Sequence, residues 1–122
     1  MHIVVDETAM AAAGQGNFLA SRLIHRAHVE ADWFLYAPAC ALVEADRVRP
    51  GTAEHLVSLP GVTVLDLDLA AALALAQHRT WAAAHSQYAA QPTPDRPDGA
   101  IIATTDAHRW TGQPVRVLDL TP

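Results

Sequence analysis

The sequence predicts a three-layer α/β/α protein in which helices cover both faces of a mostly parallel sheet of about five strands. Short apolar runs alternate with segments of helical periodicity along the whole chain. These runs lack strict polar alternation, which is typical of strands buried on both faces. The 122 residues contain no repeat and no long linker, so a single domain over residues 1–122 is expected.

The N-terminal part predicts a strand, a loop and a helix. Residues 1–5 are apolar and rich in β-branched side chains, and they end at Asp6, as a buried strand would. Residues 7–16 are small and include two glycines, which predicts a helical turn followed by a loop. From Asn17, a favourable N-cap, apolar residues recur at helical spacing and predict the first long helix.

The middle of the chain continues the alternation. An aromatic and apolar run closed by Pro38 predicts the second strand, and the next helix is expected to turn Leu42 and Val43 toward the core. The predicted elements in this part are a strand at 33–37, helices at 39–48 and 52–59, and a strand at 62–67.

The C-terminal part predicts helix and then two strands. Residues 69–91 are rich in alanine and predict either one bent helix or two consecutive helices. Three prolines exclude a helix over residues 91–99. Residues 100–106 and 115–120 are then expected to be strands.

Charge and composition restrict the function classes. The net charge of −5 argues against a large basic face for non-specific nucleic-acid binding, although a bound divalent metal would reverse the local field at an acidic site. No apolar run is long enough to span a membrane, and the N-terminus has no signal-peptide pattern, so a cytoplasmic protein without membrane contact is expected. Cys40 is the single cysteine and is interpreted as a buried apolar side chain in a reducing compartment.

Three acids follow predicted strands. Asp6 and Asp106 end the first and fourth strands, and Glu44 lies about one and a half turns into the helix after the second. Because parallel strands direct their carboxyl ends to one edge of a sheet, these side chains are expected to lie close together. Such a cluster requires a cation, and hard oxygen ligands suit Mg²⁺ or Mn²⁺. A water bound to that metal would attack a phosphodiester.

Three segments around these acids carry a family resemblance. Val4-Val5-Asp6, the run at 38–45 and the run at 102–106 resemble successive motifs of the PIN-domain family, which includes the VapC-type toxin ribonucleases. The resemblance implies a PIN fold and Mg²⁺- or Mn²⁺-dependent RNA cleavage, with Asp6, Glu44 and Asp106 as catalytic and metal-binding acids. Thr104 matches a hydroxyl residue that the family often has two positions before its last aspartate. The resemblance also implies a homodimer and a small antitoxin protein as partner.

One departure from the family pattern supports an alternative function. Thr80 lies where the family usually has another aspartate, and no carboxylate is near it in sequence. His85, one to two turns further on, is a supporting site candidate. The alternative to the ribonuclease is therefore a catalytically degenerate PIN-like domain that binds a protein or RNA. Arg47 and Arg109 are interpreted as solvated surface arginines, and Trp110 as a packing residue.

A second alignment register is also compatible with the family motifs. It makes Asp98 the missing acid, turns residues 98–111 into a helix and leaves Asp119 as the final acid. The strand interpretation of residues 100–106 is preferred because this segment is β-branched and follows three prolines within six residues.

Overall fold

The computed structural model describes residues 1–78 and 80–122, and these residues contain five strands and six helices in alternation. In chain order the elements are β1 (His2–Val5), α1 (Glu7–Gly14), α2 (Phe18–Val29), β2 (Phe34–Pro38), α3 (Ala39–Val48), α4 (Thr52–Val57), β3 (Val62–Leu65), α5 (Leu69–Leu75), α6 (Trp81–Ala89), β4 (Ile101–Thr104), a 3₁₀ turn (Ala107–Trp110) and β5 (Arg116–Asp119). Among the helices described, none combines the length and the apolar character needed to cross a bilayer.

All neighbouring strands pair in parallel, in the order β3-β2-β1-β4-β5. The predicted α/β class with a sheet of five strands is confirmed, and the described sheet is wholly parallel. The chain builds outward from β1 through β2 to β3 and then crosses to the other side of β1 to form β4. Strand order therefore reverses between β1 and β4, and the carboxyl ends of strands at such a point are where open α/β sheets bind ligands.

One face of the sheet packs against α1 to α4. Ile3 and Val5 of β1 and Leu35 of β2 contribute to this core, and Met10 of α1 packs with them. Burial of each large side chain contributes roughly 1.5–3 kcal/mol. Asn17 caps α2 as predicted, because its side-chain oxygen accepts the Ala20 amide at 2.9 Å.

The opposite face carries a smaller core formed by α6 and the 3₁₀ turn. Val4 of β1 and Ile102 of β4 are fully buried there, together with Ala89 of α6 and Trp110 of the 3₁₀ turn. This arrangement brings Trp110 over the sheet and close to the end of β1, and it thereby positions one wall of the candidate site.

The structure corrects three of the expectations. Residues 7–14 form a full helix, where a single turn and a loop were predicted, because Asp6 caps α1 through the Ala9 amide and alanine favours helix. Val43 is 60% exposed, whereas Leu42 is buried as predicted, because the core-facing side of α3 runs through Ala41, Leu42 and Ala45. Cys40 is partly exposed rather than buried.

Both open questions at the C-terminal end are resolved. The alanine-rich segment forms two helices, α5 and α6, and Ile101–Thr104 is a strand paired with both β1 and β5. The second register, which required a helix over residues 98–111, is therefore wrong.

Candidate active site

Asp6 lies at the point where strand order reverses, and its side chain is fully enclosed, with 0% exposure. One carboxylate oxygen, Oδ1, accepts hydrogen bonds from Thr8 Oγ1 at 2.6 Å and from the Ala9 amide at 3.0 Å. The other, Oδ2, accepts from the indole Nε1 of Trp110 at 3.1 Å. A buried carboxylate requires such donors, and these three hold Asp6 in one orientation.

Two threonine hydroxyls connect Asp6 to the end of β4. The Thr8 and Thr104 oxygens are 3.0 Å apart, and Thr8 also accepts the Thr105 amide. Since the single Thr8 proton is donated to Asp6, Thr104 donates to Thr8. Thr104 in turn accepts the Asp106 amide at 3.0 Å. Thr104, which the family resemblance selected, thus supports Asp6 through Thr8.

Arg109 pairs with Glu7 beside Asp6. Its two terminal nitrogens donate to the Glu7 carboxylate at 3.0 and 2.7 Å, a two-pronged geometry typical of strong arginine–carboxylate pairs. Arg109 Nε is 4.0 Å from Asp6 Oδ2, and the guanidinium lies 5.1 Å from the centre of the Trp110 ring. The Arg109 side chain is only 22% exposed. Its interpretation as a solvated arginine is therefore wrong, whereas Trp110 is buried as predicted.

The pKa of Arg109 depends on burial and on the acids around it. Burial by itself lowers the pKa, but the hydrogen bonds and charge of Glu7, with the charges of Asp6 and Asp106, outweigh burial and raise the pKa above its usual value. The guanidinium therefore remains a cation among three acids. Sequence reasoning missed the pair because Glu7 and Arg109 are 102 positions apart, although Glu7 directly follows Asp6 in the sequence.

The other two predicted acids have different surroundings. Glu44 is partly exposed on α3, where its carboxylate lies 3.8 Å from the exposed Arg47 guanidinium. Asp106 is exposed at the start of the 3₁₀ turn and makes no capping hydrogen bond with its side chain. Its charge nevertheless acts on Arg109. The structure therefore brings Asp6 and Asp106 to the same edge of the sheet and places Glu44 on the neighbouring helix.

These acids, as arranged, do not fit a divalent ion. Within residues 1–78 and 80–122, no group of three or more histidine, cysteine, aspartate or glutamate side chains is placed to hold a metal. The oxygens of Asp6 already accept three hydrogen bonds, and a guanidinium lies beside Oδ2. Metal binding by Asp6, Glu44 and Asp106 stays a prediction that would require Arg109 to move.

The other three supporting candidates lie in separate places. Thr80 is the exposed N-cap residue of α6, and its side chain makes no capping hydrogen bond. His85 is buried, and its Nδ1 accepts the Cys40 amide at 3.2 Å, which leaves the ring proton on Nε2. Burial lowers the pKa of His85, with Asp68 opposing this shift. Asp98 precedes β4, at the amino end of the sheet, and is therefore not brought to Asp6.

A groove of about 470 Å³ opens beside the Glu7–Arg109 pair. The amide side chains of Gln87 and Gln113 hydrogen-bond within it at 3.2 Å. The lining residues that matter to the site are Glu7, Thr80, Gln87, Arg109, Trp110 and Gln113. Thr80 therefore belongs to the surface next to Arg109, although it brings no charge there.

Comparisons of the chain with protein-family models, with curated proteins and with solved structures give no match.

Proposed function

We propose that this chain is a PIN-like domain that acts by binding a protein partner and does not cut RNA. The observation that carries the proposal is the enclosure of Asp6, whose carboxylate is fully buried and held by three internal donors next to Arg109. A catalytic acid must present an oxygen to a metal or to the substrate. In this arrangement Asp6 instead joins β1, α1, β4 and the 3₁₀ turn.

Exposed apolar side chains around α5 support a protein partner over RNA. Leu69 and Leu73 are 75% and 67% exposed and lie one turn apart on α5, and Trp81 at the start of α6 is 65% exposed. Leu67, just before α5, is also exposed. We call Leu67, Leu69, Leu73 and Trp81 the α5 surface. Exposed apolar residues that form a contiguous patch mark protein interfaces, whereas the net charge of −5 disfavours RNA.

The resemblance to VapC-type proteins supplies two partners for this surface. One is a small antitoxin protein, and the other is a second copy of the chain in a homodimer. A cytoplasmic location is part of the same proposal, since such partners are expected there.

A second candidate function is the metal-dependent ribonuclease, with RNA as substrate and Mg²⁺ or Mn²⁺ as cofactor. The strand order favours it, because Asp6, Thr104 and Asp106 all lie where β1 and β4 end and strand order reverses. Asp6, Glu44 and Asp106 would hold the metal in this function. The Glu7–Arg109 pair would have to open first.

An RNA-cleavage assay separates the two candidates. Purified protein is incubated with single-stranded RNA in MgCl₂, in MnCl₂ and in EDTA, beside Asp6→Asn and the control Glu54→Gln, which changes an exposed acid on α4. Binding without cleavage predicts the same low background for all three proteins under every condition. Metal-dependent cleavage by the wild type and Glu54→Gln, but not by Asp6→Asn, would establish the ribonuclease and reject the binding-only proposal.

A further inference from the structure

Three acids crowd the edge of the sheet where β1 and β4 end. Asp6 is buried, Glu7 follows it in the first turn of α1, and Asp106 begins the 3₁₀ turn. We call Asp6, Glu7 and Asp106 the acidic edge. Negative charges at one edge of a sheet repel one another, so a cation placed beside them stabilises the folded state.

Arg109 has the position and the charge to be that cation. It forms two hydrogen bonds with Glu7 and lies 4.0 Å from the nearer Asp6 oxygen, and the negative charge of Asp106 acts on it as well. Trp110, the next residue, donates to the same Asp6 oxygen. The 3₁₀ turn therefore delivers a guanidinium and an indole N–H together to the acidic edge.

We propose that Arg109 is the resident cation of the acidic edge, and that Arg109 and a divalent metal ion exclude each other there. The guanidinium takes over the neutralising role that a metal would have among these carboxylates. A divalent ion bound to these carboxylates would lie close to the Arg109 guanidinium, and the two positive charges would repel each other. The inference concerns the acidic edge alone and does not depend on a partner at the α5 surface.

Thermal unfolding with and without MnCl₂ tests this inference, with ionic strength kept constant by NaCl. The wild-type midpoint is expected to change by less than about 1 °C between EDTA and 1 mM MnCl₂, because an ion that does not bind the folded state does not stabilise it. Arg109→Gln should unfold several degrees lower in EDTA and then recover part of this loss in MnCl₂. The control Arg47→Gln removes an exposed arginine and should behave as the wild type does.

Arg109→Lys separates charge from geometry. It keeps the cation and loses the two-pronged contact with Glu7, so it should unfold between the wild type and Arg109→Gln and show no recovery in MnCl₂. If Arg109→Gln does not fold at all while Arg109→Lys folds, the need for a cation is supported directly. A lysine variant no more stable than the glutamine variant would overturn the neutralising role.

Two further results would overturn the exclusion of metal. The first is saturable Mn²⁺ binding by the wild type, followed by the loss of the free Mn²⁺ paramagnetic resonance signal, that disappears in Asp6→Asn. The second is an Arg109→Gln variant that folds but whose midpoint of thermal unfolding is the same in EDTA and in MnCl₂. Either result would show that Arg109 is not what keeps a divalent ion from the acidic edge.

Discussion

Asp6 is a fully buried acid, and its hydrogen-bond partners explain how the fold tolerates a carboxylate there. Thr8, the Ala9 amide and Trp110 each donate a hydrogen bond, and Arg109 supplies a nearby positive charge. Water could not replace these partners, because the side chain has 0% exposure. The stability of the domain is therefore expected to be more sensitive to Asp6 than to any exposed acid.

Replacing Asp6 tests this expectation against a matched acid. Asp6→Ala leaves the Trp110 indole, the Thr8 hydroxyl and the Ala9 amide without their acceptor, and should lower the free energy of unfolding by about 3 kcal/mol or more. Glu44→Ala, which removes an exposed pair with Arg47, should cost no more than about 0.5 kcal/mol. Urea unfolding followed by circular dichroism measures both values. Equal losses would contradict the structural role assigned to Asp6.

His85 gives the domain a predicted dependence on pH. Burial lowers the pKa of His85 below its ordinary value of 6.5, so the folded state binds fewer protons than the unfolded state when the pH falls below that value. The contribution of neutral His85 is complete above about pH 6.5 and is lost as the pH falls toward the folded pKa. Burial, together with the N-terminal amine and Arg96, lowers the pKa of His2 in the same direction.

The free energy of unfolding should therefore decrease between pH 7.5 and 5.5, by at most about 1.4 kcal/mol per pH unit for each histidine. His85→Asn keeps an acceptor for the Cys40 amide and should make this decrease shallower. His25→Asn, on the exposed side of α2, serves as control and should keep the wild-type slope. Urea unfolding at three pH values measures the slopes. An unchanged slope in His85→Asn would show that His85 is not a source of the pH dependence.

At the scale of elements, the connection from α6 to β4 depends on one glycine. Gly99 has φ +70°, and a Cβ at this position would lie 2.4 Å from the Ala90 carbonyl oxygen at the end of α6. Both the backbone conformation and the space therefore exclude a side chain. Since Gly99 lies two residues before β4, the strand next to β1, a shift here would displace β4 and with it Thr104.

Gly99→Ala and Gly112→Ala form a matched pair. Gly112 has φ +81° but nothing within 4 Å of an added Cβ, so its substitution should cost only the backbone strain of about 1–2 kcal/mol. Gly99→Ala adds a clash with fixed backbone and should cost at least about 2 kcal/mol more. Thermal or urea unfolding compares the two variants. A smaller loss at Gly99 than at Gly112 would contradict the described connection.

The elements that the sequence predicted best are those with local signals at both ends. Pro38 before α3 and Pro50-Gly51 after it marked this helix, and α3 spans Ala39–Val48 as predicted. Strand ends were predicted less well, because apolar residues continue past the last strand pairing: the third strand was expected to reach residue 67 and ends at Leu65. Helix α1 was predicted as a single turn because Gly14, its last residue, and Gly16 suggested a loop, whereas the Asp6 cap and the alanines decide the conformation.

At the scale of the whole molecule, strand alternation predicted the class of the fold, but the strand order is a tertiary property. The general rule for parallel sheets was enough to place Asp6 and Asp106 at one edge. It was not enough to find the Glu7–Arg109 pair, because that contact depends on how the 3₁₀ turn packs over β1. The orientation of Glu44 on α3 likewise depends on side-chain packing that periodicity does not encode.

The α5 surface leads to a prediction about assembly. If a second copy of the chain covers it, the wild type should be a dimer in multi-angle light scattering at about 100 μM, a concentration at which even weak interfaces are occupied. Leu73→Glu places a charge on this surface and should raise the dissociation constant of the dimer tenfold or more, which lowers the measured mass toward that of the monomer. Its unfolding midpoint at low protein concentration should stay close to that of the wild type, because Leu73 is exposed.

Val57→Glu is the matched control for this experiment. Val57 is also exposed, but it lies on α4, which packs on the opposite face of the sheet from α6. The added charge is the same, so any general effect of acidity on association should appear in both variants, and an effect of the α5 surface should appear only in Leu73→Glu. A monomeric wild type would exclude the homodimer and leave an antitoxin-like protein as the proposed occupant. Equal masses for the wild type and Leu73→Glu, both dimeric, would place the dimer contact elsewhere and remove the α5 surface as its origin.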